Sequence, residues 1–359
     1  MADLMTGKTS YKDLTNKYAN FIVPTVKLKV NGSDVVKQKG FLIEYLEVGL
    51  SATVASMVVI KIAHQHDVES HSFSKNVKDT FRLGTVVEVE LGYLSSTTMV
   101  FKGYVEMVGA EAGQDMLYTV TLMDMKRLMM ISGRKNVLYT VPNYSDAVKQ
   151  ILGTYGKVCN PKIDATDDKL TSPVSQNSND YDFVMGDLIS KGKVDREFLV
   201  VAGTAYFRKP DLKASPLMKA RFGRELRSFQ VNFSYREATI KVVGVDEKQA
   251  PMEAEANVKG IQKQNALLSP APVHLFADPH IDSVEKAKTK AEAIARQQMQ
   301  KSCYGHGVTI GIPEIVPGRY LEVENIDEAL DKIYYVTEVK HVFTREQFTT
   351  HFEVGGCQG

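Results

Sequence analysis

Short apolar segments separated by turns dominate the first 135 residues. In residues 87–91 (Val-Glu-Val-Glu-Leu) hydrophobic and acidic residues alternate, which is the pattern of a strand with one buried and one wet face. Residues 1–20 are polar and predict an N-terminal arm, while no long helical pattern interrupts residues 21–135. The pattern therefore predicts a small antiparallel β-barrel or sandwich, with strands at 24–30, 40–48, 57–63, 85–91, 99–108 and 117–122.

The pattern changes at residue 136. Apolar residues at helical spacing predict a helix with Ser145 as its N-cap and Gly156 at its end. A second short helix is predicted after Asp180, and a hairpin pattern surrounds Gly203. Residues 136–210 therefore predict a small α+β module.

Residues 211–359 predict a second barrel that contains a linker and a helix. Segment 246–281 holds four prolines and little periodicity, which predicts a long extended linker or insertion. The alanine-rich segment 282–301 predicts a helix, with Asp282 and Glu285 at the spacing of a capping box. Strands are predicted at 228–234, 239–245, 308–312, 319–324, 332–342 and 348–354.

The two strand-rich regions resemble each other. Four blocks recur in the same order, because residues 46–51, 84–90, 104–108 and 118–122 match residues 229–234, 318–324, 335–339 and 348–352. We interpret this as a duplicated barrel; the alternative is a chance likeness among amphipathic strands. The predicted fold is mainly β with an α+β insertion: two related barrels plus a helix-containing module. A trimer of such chains would be three-fold in fact and six-fold in appearance.

Composition and charge exclude several classes of protein. The 44 basic and 43 acidic residues nearly cancel, so a dedicated or sequence-specific nucleic-acid binder is not expected. No apolar stretch approaches the length of a membrane helix, and the polar N-terminus predicts no signal peptide or membrane anchor. Three cysteines without CxxC spacing predict reduced thiols in a protein made in the cytoplasm.

Candidate chemistry is weak. His64, His66 and His71 are the best metal-like group, and the alternative interpretation is a solvated turn. Residues 186–194 resemble a phosphate-binding loop, but the glycine spacing is too long and Val194 replaces the Ser or Thr that would hold magnesium. Acidic residues that could form a hydrolytic pair are better explained as surface acids: Glu253, Glu255, Glu285 and Glu292. We therefore predict no catalytic, cofactor-binding or metal site, and no enzyme.

The C-terminal third resembles a known family. An alanine-rich helix is followed by Gly-Ile-Pro-Glu-Ile-Val-Pro-Gly at 311–318, Tyr-Tyr-Val-Thr-Glu-Val-Lys-His at 334–341 and Phe-Thr-Thr at 348–350. This order resembles the late control protein D of contractile-tailed phages and the hub half of VgrG spike proteins. Residues 176–183 and 222–246 also resemble that family, although the usual Ser–Asp pair is shifted by one residue at 178–180.

The resemblance implies a homotrimeric baseplate hub of a phage tail, a tailocin or a related injection particle. Such a hub is a symmetry adaptor that joins the three-fold central spike to the six-fold inner tube, and we expect it to assemble into the particle without a cofactor. The implied partners are the spike, the inner tube protein, the tube-initiator ring and other baseplate proteins. The sequence ends at Gly359, so we expect the OB-fold and needle that are fused onto VgrG proteins to be missing and the spike to be a separate chain. The alternatives are a cell-wall-degrading enzyme of the injection machinery and a free-standing adhesin.

Overall fold

The computed structural model describes residues 3–211, 213–245, 250–262, 264–278 and 281–358. Strands dominate it, which confirms the predicted mainly-β class with a helical insertion. In this described part of the chain, no helix is both long and apolar enough to cross a membrane.

The first 130 residues contain mostly strands joined by short helices. The six predicted strands are confirmed with small shifts at their ends. The strands are β1 (Pro24–Val30), β2 (Ser33–Asp34), β3 (Leu42–Ser51), β4 (Met57–Ala63), β5 (His66–Asp67), β6 (Ser72–Phe73), β7 (Val86–Tyr93), β8 (Ser96–Ala112) and β9 (Met116–Met123). The helices are α1 (Tyr11–Lys17), α2 (Val35–Lys39), α3 (Lys75–Thr80) and α4 (Met125–Met130).

The middle of the chain has a hydrophobic core of its own. It contains β10 (Val137–Tyr139), α5 (Tyr144–Gly153), β11 (Asn160–Ile163), β12 (Val174–Gln176), a π-helix (Asp182–Ser190), β13 (Glu197–Val201) and β14 (Thr204–Arg208). The predicted N-cap of α5 is wrong, because Asn143 Oδ1, and not Ser145, accepts the hydrogen bond from Asp146 N at 2.9 Å. Both side chains suit an N-cap, so local sequence alone does not separate them.

The last part of the chain contains β15 (Lys219–Arg221), β16 (Leu226–Phe233), β17 (Glu237–Val245), β18 (Pro251–Lys259), β19 (Val273–Ala277), α6 (Val284–Gln300), β20 (Cys303–Ile310), β21 (Tyr320–Glu324), β22 (Ile333–Thr344) and β23 (Phe348–Gln358). Strands β18 and β19 correct the prediction that 246–281 is an extended linker; residues 246–249, 263, 279 and 280 lie outside the described residues. Both strands pair with β17. Segment 252–258 alternates apolar and polar residues, but its alanines and glutamates are poor strand formers, which hid the strand.

Helix α6 packs on this three-stranded sheet. Ala287, Ala291 and Ala295 are buried against the sheet, whereas Val284 at the start of the helix is exposed. Small side chains let the helix approach the strands closely. Ser283, and not Asp282, caps the helix by accepting from Lys286 N at 3.3 Å.

Thirteen strands among the described residues form one continuous sheet. Its first half contains the order β3-β4-β9-β8-β7 and its second half the order β16-β20-β23-β22-β21, all antiparallel. We call these sets the first and second five-strand units. The predicted repeat is therefore a repeat of topology. The two units are not separate sheets, because β3 pairs directly with β22 and both contribute to a single core.

The glycines that precede β7 and β21 form the same backbone hydrogen bond in the two units. Gly84 N donates to Val105 O at 2.8 Å, and Gly318 N donates to Val336 O at 2.9 Å. Both glycines have positive φ angles, +81° and +83°, which favour glycine over residues with a Cβ atom. The alignment of 84–90 with 318–324 and of 104–108 with 335–339 is thereby confirmed.

Two β-bulges also recur at matching positions. One lies between Val105 and Met107 and recurs between Val336 and Glu338. The other interrupts β3 between residues 43 and 45 and β16 between residues 226 and 228. The alignment of the last block is corrected by two residues: Val120 pairs with Val108, and Phe352 pairs with Val339. A shift of two preserves the inward face, so the pattern alone does not detect it.

The N-terminal arm is packed against the sheet, in contrast to the polar arm expected; its first two residues lie outside the described residues. Leu14 and Tyr18 are fully buried, and Ser10 forms a capping box with Asp13 at the start of α1. The Tyr18 hydroxyl donates to Glu314 Oε1 at 2.7 Å. The arm thus fastens the first unit to the loop before β21.

Candidate assembly interface

Where strand β3 of the first unit pairs with strand β22 of the second, the main sheet has one polar and one apolar face. We call this pairing the internal join. On the apolar face, Leu50 of β3 lies opposite Val339 of β22, and both are buried. On the polar face, Lys340 Nζ lies 3.2 Å from Glu47 Oε1, and Ser51 Oγ donates to Glu338 Oε1 at 3.2 Å. Alternation along each strand separates the two faces.

The join itself is an antiparallel ladder of seven residue pairs, from Glu338–Ser51 to Thr344–Tyr45. Just beyond it, Ala52 N donates to Thr337 O at 2.9 Å. Hydrogen-bonded and non-hydrogen-bonded pairs alternate in such ladders. Because Ala52 and Thr337 are hydrogen-bonded, the pair two residues further along, Leu50 and Val339, is a hydrogen-bonded pair as well.

A buried lysine holds the loop that follows β3. Lys126 is fully buried, and its ammonium group donates to the carbonyl oxygens of Ser51, Ala52 and Val54 at 3.0, 3.2 and 3.1 Å. Burial lowers the pKa of Lys126 to about 8, while burial raises the pKa of Asp124, which accepts from Ser56 N at 3.0 Å. Sequence reasoning missed this device, because nothing local distinguishes Lys126 from the surface lysines.

Strand β16, the counterpart of β3, forms a ladder on one edge only, apart from an isolated bridge between its first residue, Leu226, and Phe222. Its described partner is β20, and its other edge carries no strand among the described residues. Phe229, Val231 and Phe233 point to the apolar face and are half-buried, whereas their counterparts on β3 are fully buried.

Strand β8, the counterpart of β22, also has an unpaired edge, along its C-terminal half. Residues 96–104 pair with β7 on one side, but from Met107 to Ala112 the described pairing is with β9 alone. Met107 is 56% exposed and Val108 is 39% exposed. Exposed edges with apolar side chains are templates for the addition of another strand.

The residues singled out as candidate chemistry do not converge. His66 packs edge-on against Phe73 within the β5–β6 hairpin, and no group of three or more metal-ligating side chains occurs in the described part of the chain. Gly186 lies inside the π-helix and not in a loop. Glu253 and Glu255 share one ion-pair partner, Lys241, at 2.8 and 3.5 Å on the β17–β18 sheet.

A cleft of about 970 Å³ lies between the α+β module, α6 and the loop before β21. Glu197, one of its lining carboxylates, accepts from Tyr335 Oη at 2.6 Å and from Arg208 Nε at 2.6 Å. Burial raises the pKa of Tyr335 well above its ordinary value, and Glu197 adds to the effect. These side chains therefore satisfy one another's hydrogen-bonding groups within the cleft.

A family model described as "Alg8 N-terminal domain" matches residues 21–345. No curated protein matches the chain.

Solved structures with the same fold come from tail proteins. A tail protein from Neisseria meningitidis MC58 superposes with a TM-score of 0.67 at 10% identity, covering 93% of this chain and 97% of that one. The 43 kDa tail protein of prophage MuSo2 from Shewanella oneidensis gives a TM-score of 0.65 at 11% identity, covering 92% and 97%.

A chain of the Francisella PdpA-VgrG complex also shares the fold. It gives a TM-score of 0.54 at 9% identity, covering 95% of this chain and 60% of that one. The expected resemblance to phage tail and VgrG proteins is thereby confirmed at the level of the fold.

Proposed function

The chain belongs to the Alg8 N-terminal domain family, and because it folds like phage tail proteins, we propose that it is a structural baseplate hub of a contractile phage tail or phage-tail-like injection particle. A neighbour from a PdpA-VgrG complex supports a hub that works in contact with spike and other baseplate proteins. The proposed activity is shape matching through interfaces.

The observation that carries the proposal is the repeated five-strand unit. Two units per chain and three chains per ring would present six similar units around one axis. Such a ring matches a three-fold spike on one side and a six-fold inner tube on the other. We therefore propose a homotrimer, because three chains with two similar units each form a ring with approximate six-fold symmetry.

We also propose that the chain has no catalytic role. The support is the mutual pairing of Glu197, Tyr335 and Arg208 in the cleft and the scattered placement of the acids considered above. Purified protein incubated with peptidoglycan should release no soluble fragments. Release that is lost on Glu197→Gln would instead favour a wall-degrading enzyme.

Sedimentation of the full chain, alone and mixed with its spike protein, tests the hub proposal. We expect complexes that contain three copies of this chain. In a purified particle, the chain should lie between the spike and the first ring of the inner tube. A chain that stays monomeric with both partners would contradict the proposal.

A further inference from the structure

The two strands that form the β3–β22 join each have a counterpart in the other unit, so a second join of the same kind is geometrically possible. Strand β16 is the counterpart of β3, and the end of β8 is the counterpart of the part of β22 that pairs with β3. The chain thus carries one further copy of each half of the join, and neither half has a strand partner among the described residues.

We propose that β16 of one copy pairs with residues 107–113 of the next copy, an inference that rests on the proposed trimeric hub. Transferring the internal register places Val108 opposite Phe233, where the internal join has Val339 opposite Leu50. By the same transfer, residues 107 to 113 lie opposite residues 234 to 228. Three such joins and three internal joins close a ring of six units.

The directions of the backbone amides on β16 fit this register. Ser234 N donates to Ser302 O at 2.8 Å, so by alternation the even-numbered residues of β16 bond to β20. The N–H groups of Phe229, Val231 and Phe233 therefore face the free edge.

The amides of β8 fit as well. Gly113 N donates to Asp115 O at 3.2 Å toward β9, as its counterpart Thr344 N donates to Gln347 O at 2.9 Å toward β23. The N–H groups of even-numbered residues of β8, such as Val108 and Ala110, therefore point to the free edge. In the proposed register each of these residues lies opposite an odd-numbered residue of β16 whose N–H group also points to its free edge.

The side chains are complementary in size. On the apolar face, the large Phe233 and Phe229 would meet the smaller Val108 and Ala112. These residues are exposed or half-buried in the single chain, whereas their counterparts in the internal join are buried. Pairing would remove this apolar surface from water.

Engineered disulfides in the full-length assembly test the register. Glu111 and Gln230 would form a non-hydrogen-bonded pair, with Cα atoms about 4.5 Å apart, which is within the disulfide range. Under oxidised glutathione, Glu111→Cys with Gln230→Cys should give covalent dimers and trimers at least about tenfold above Glu111→Cys with Asn232→Cys or Ser228→Cys, whose diagonal separation is about 7–8 Å. Single-cysteine variants control for the native thiols.

The outcomes separate this inference from the hub proposal. Trimers that form without this cross-link, or that cross-link better through a displaced pair, would overturn the proposed join and leave the hub intact. A chain that never forms trimers would overturn both.

Proline variants give an independent test. Val231→Pro removes an amide that faces the free edge, and edge strands tolerate proline there. The variant should remain folded as a monomer and lose trimer formation. Gln230→Pro is the matched control, because it removes an amide that bonds to β20 and should destabilise the chain itself. A Val231→Pro variant that forms trimers as the native chain does would contradict the proposed pairing.

Discussion

Val108 and Val339 occupy the same position in the two five-strand units, yet Val108 is 39% exposed and Val339 is 2% exposed. The difference arises because Val339 has Leu50 opposite it in the same chain, whereas Val108 lies on an edge that no described strand covers. At this position the two units differ because one strand edge is paired within the chain and the other is not.

The equivalence of the two units can be tested at Val89 and Val323, which are both fully buried. Replacing either one by Asp would bury an unpaired carboxylate, and each variant should lose at least about 3 kcal/mol of stability or become insoluble. Glu88→Gln and Glu322→Gln, which remove partly exposed ion pairs with Lys102 and Lys219, should change stability by less than about 1 kcal/mol. Thermal unfolding compares the four variants. Tolerance of Val323→Asp alone would argue against structural equivalence.

Gly84 and Gly318 share a positive φ angle but differ in surroundings. Gly84→Ala should cost about 1–2 kcal/mol from backbone strain alone, because its Cβ would have no atom within 4 Å. Gly318→Ala should cost about 1–3 kcal/mol more, because its Cβ would overlap Leu199 Cδ1. Urea unfolding measures both. Equal losses would mean that Leu199 moves aside freely.

His341 should make stability depend on pH. Burial lowers the pKa of His341 from 6.5 to about 3, so the unfolded chain binds a proton in that range that the folded chain does not. Stability should therefore fall as the pH drops from 6.5 toward 3, by up to about 1.4 kcal/mol for each pH unit. The His341→Gln variant should show a weaker loss between pH 7 and pH 5 in thermal unfolding. Parallel curves for both proteins would contradict this assignment.

The contact between Tyr18 and Glu314 should anchor the N-terminal arm. Tyr18→Phe removes the buried hydroxyl that donates to Glu314 and lies 2.8 Å from Thr98 Oγ1, and should cost about 1–3 kcal/mol. Tyr11→Phe is a matched control, because its ring keeps the contact with the Arg224 guanidinium at 4.4 Å. Hydrogen exchange in α1 should rise for the first variant only. Unchanged exchange would show that the Tyr18 hydroxyl does not hold the arm.

The sequence by itself determined the long strands of the two five-strand units, their inward faces and the existence of a repeat. Alternation is a local property, so Val89 and Val323 are recognisable as core residues without knowledge of their neighbours. The left-handed glycines at 84 and 318 mark the same turn in both units for the same local reason.

Only the tertiary structure decided which strands meet. The join of β3 with β22, the packing of the N-terminal arm and the three carbonyl contacts of Lys126 connect residues far apart in the chain. Strand β18 is a further example, because its alanines and glutamates become a strand only when β17 offers hydrogen bonds and α6 covers one face. Pairing energies of this kind depend on the partner strand, and a pattern read along one strand does not contain the partner.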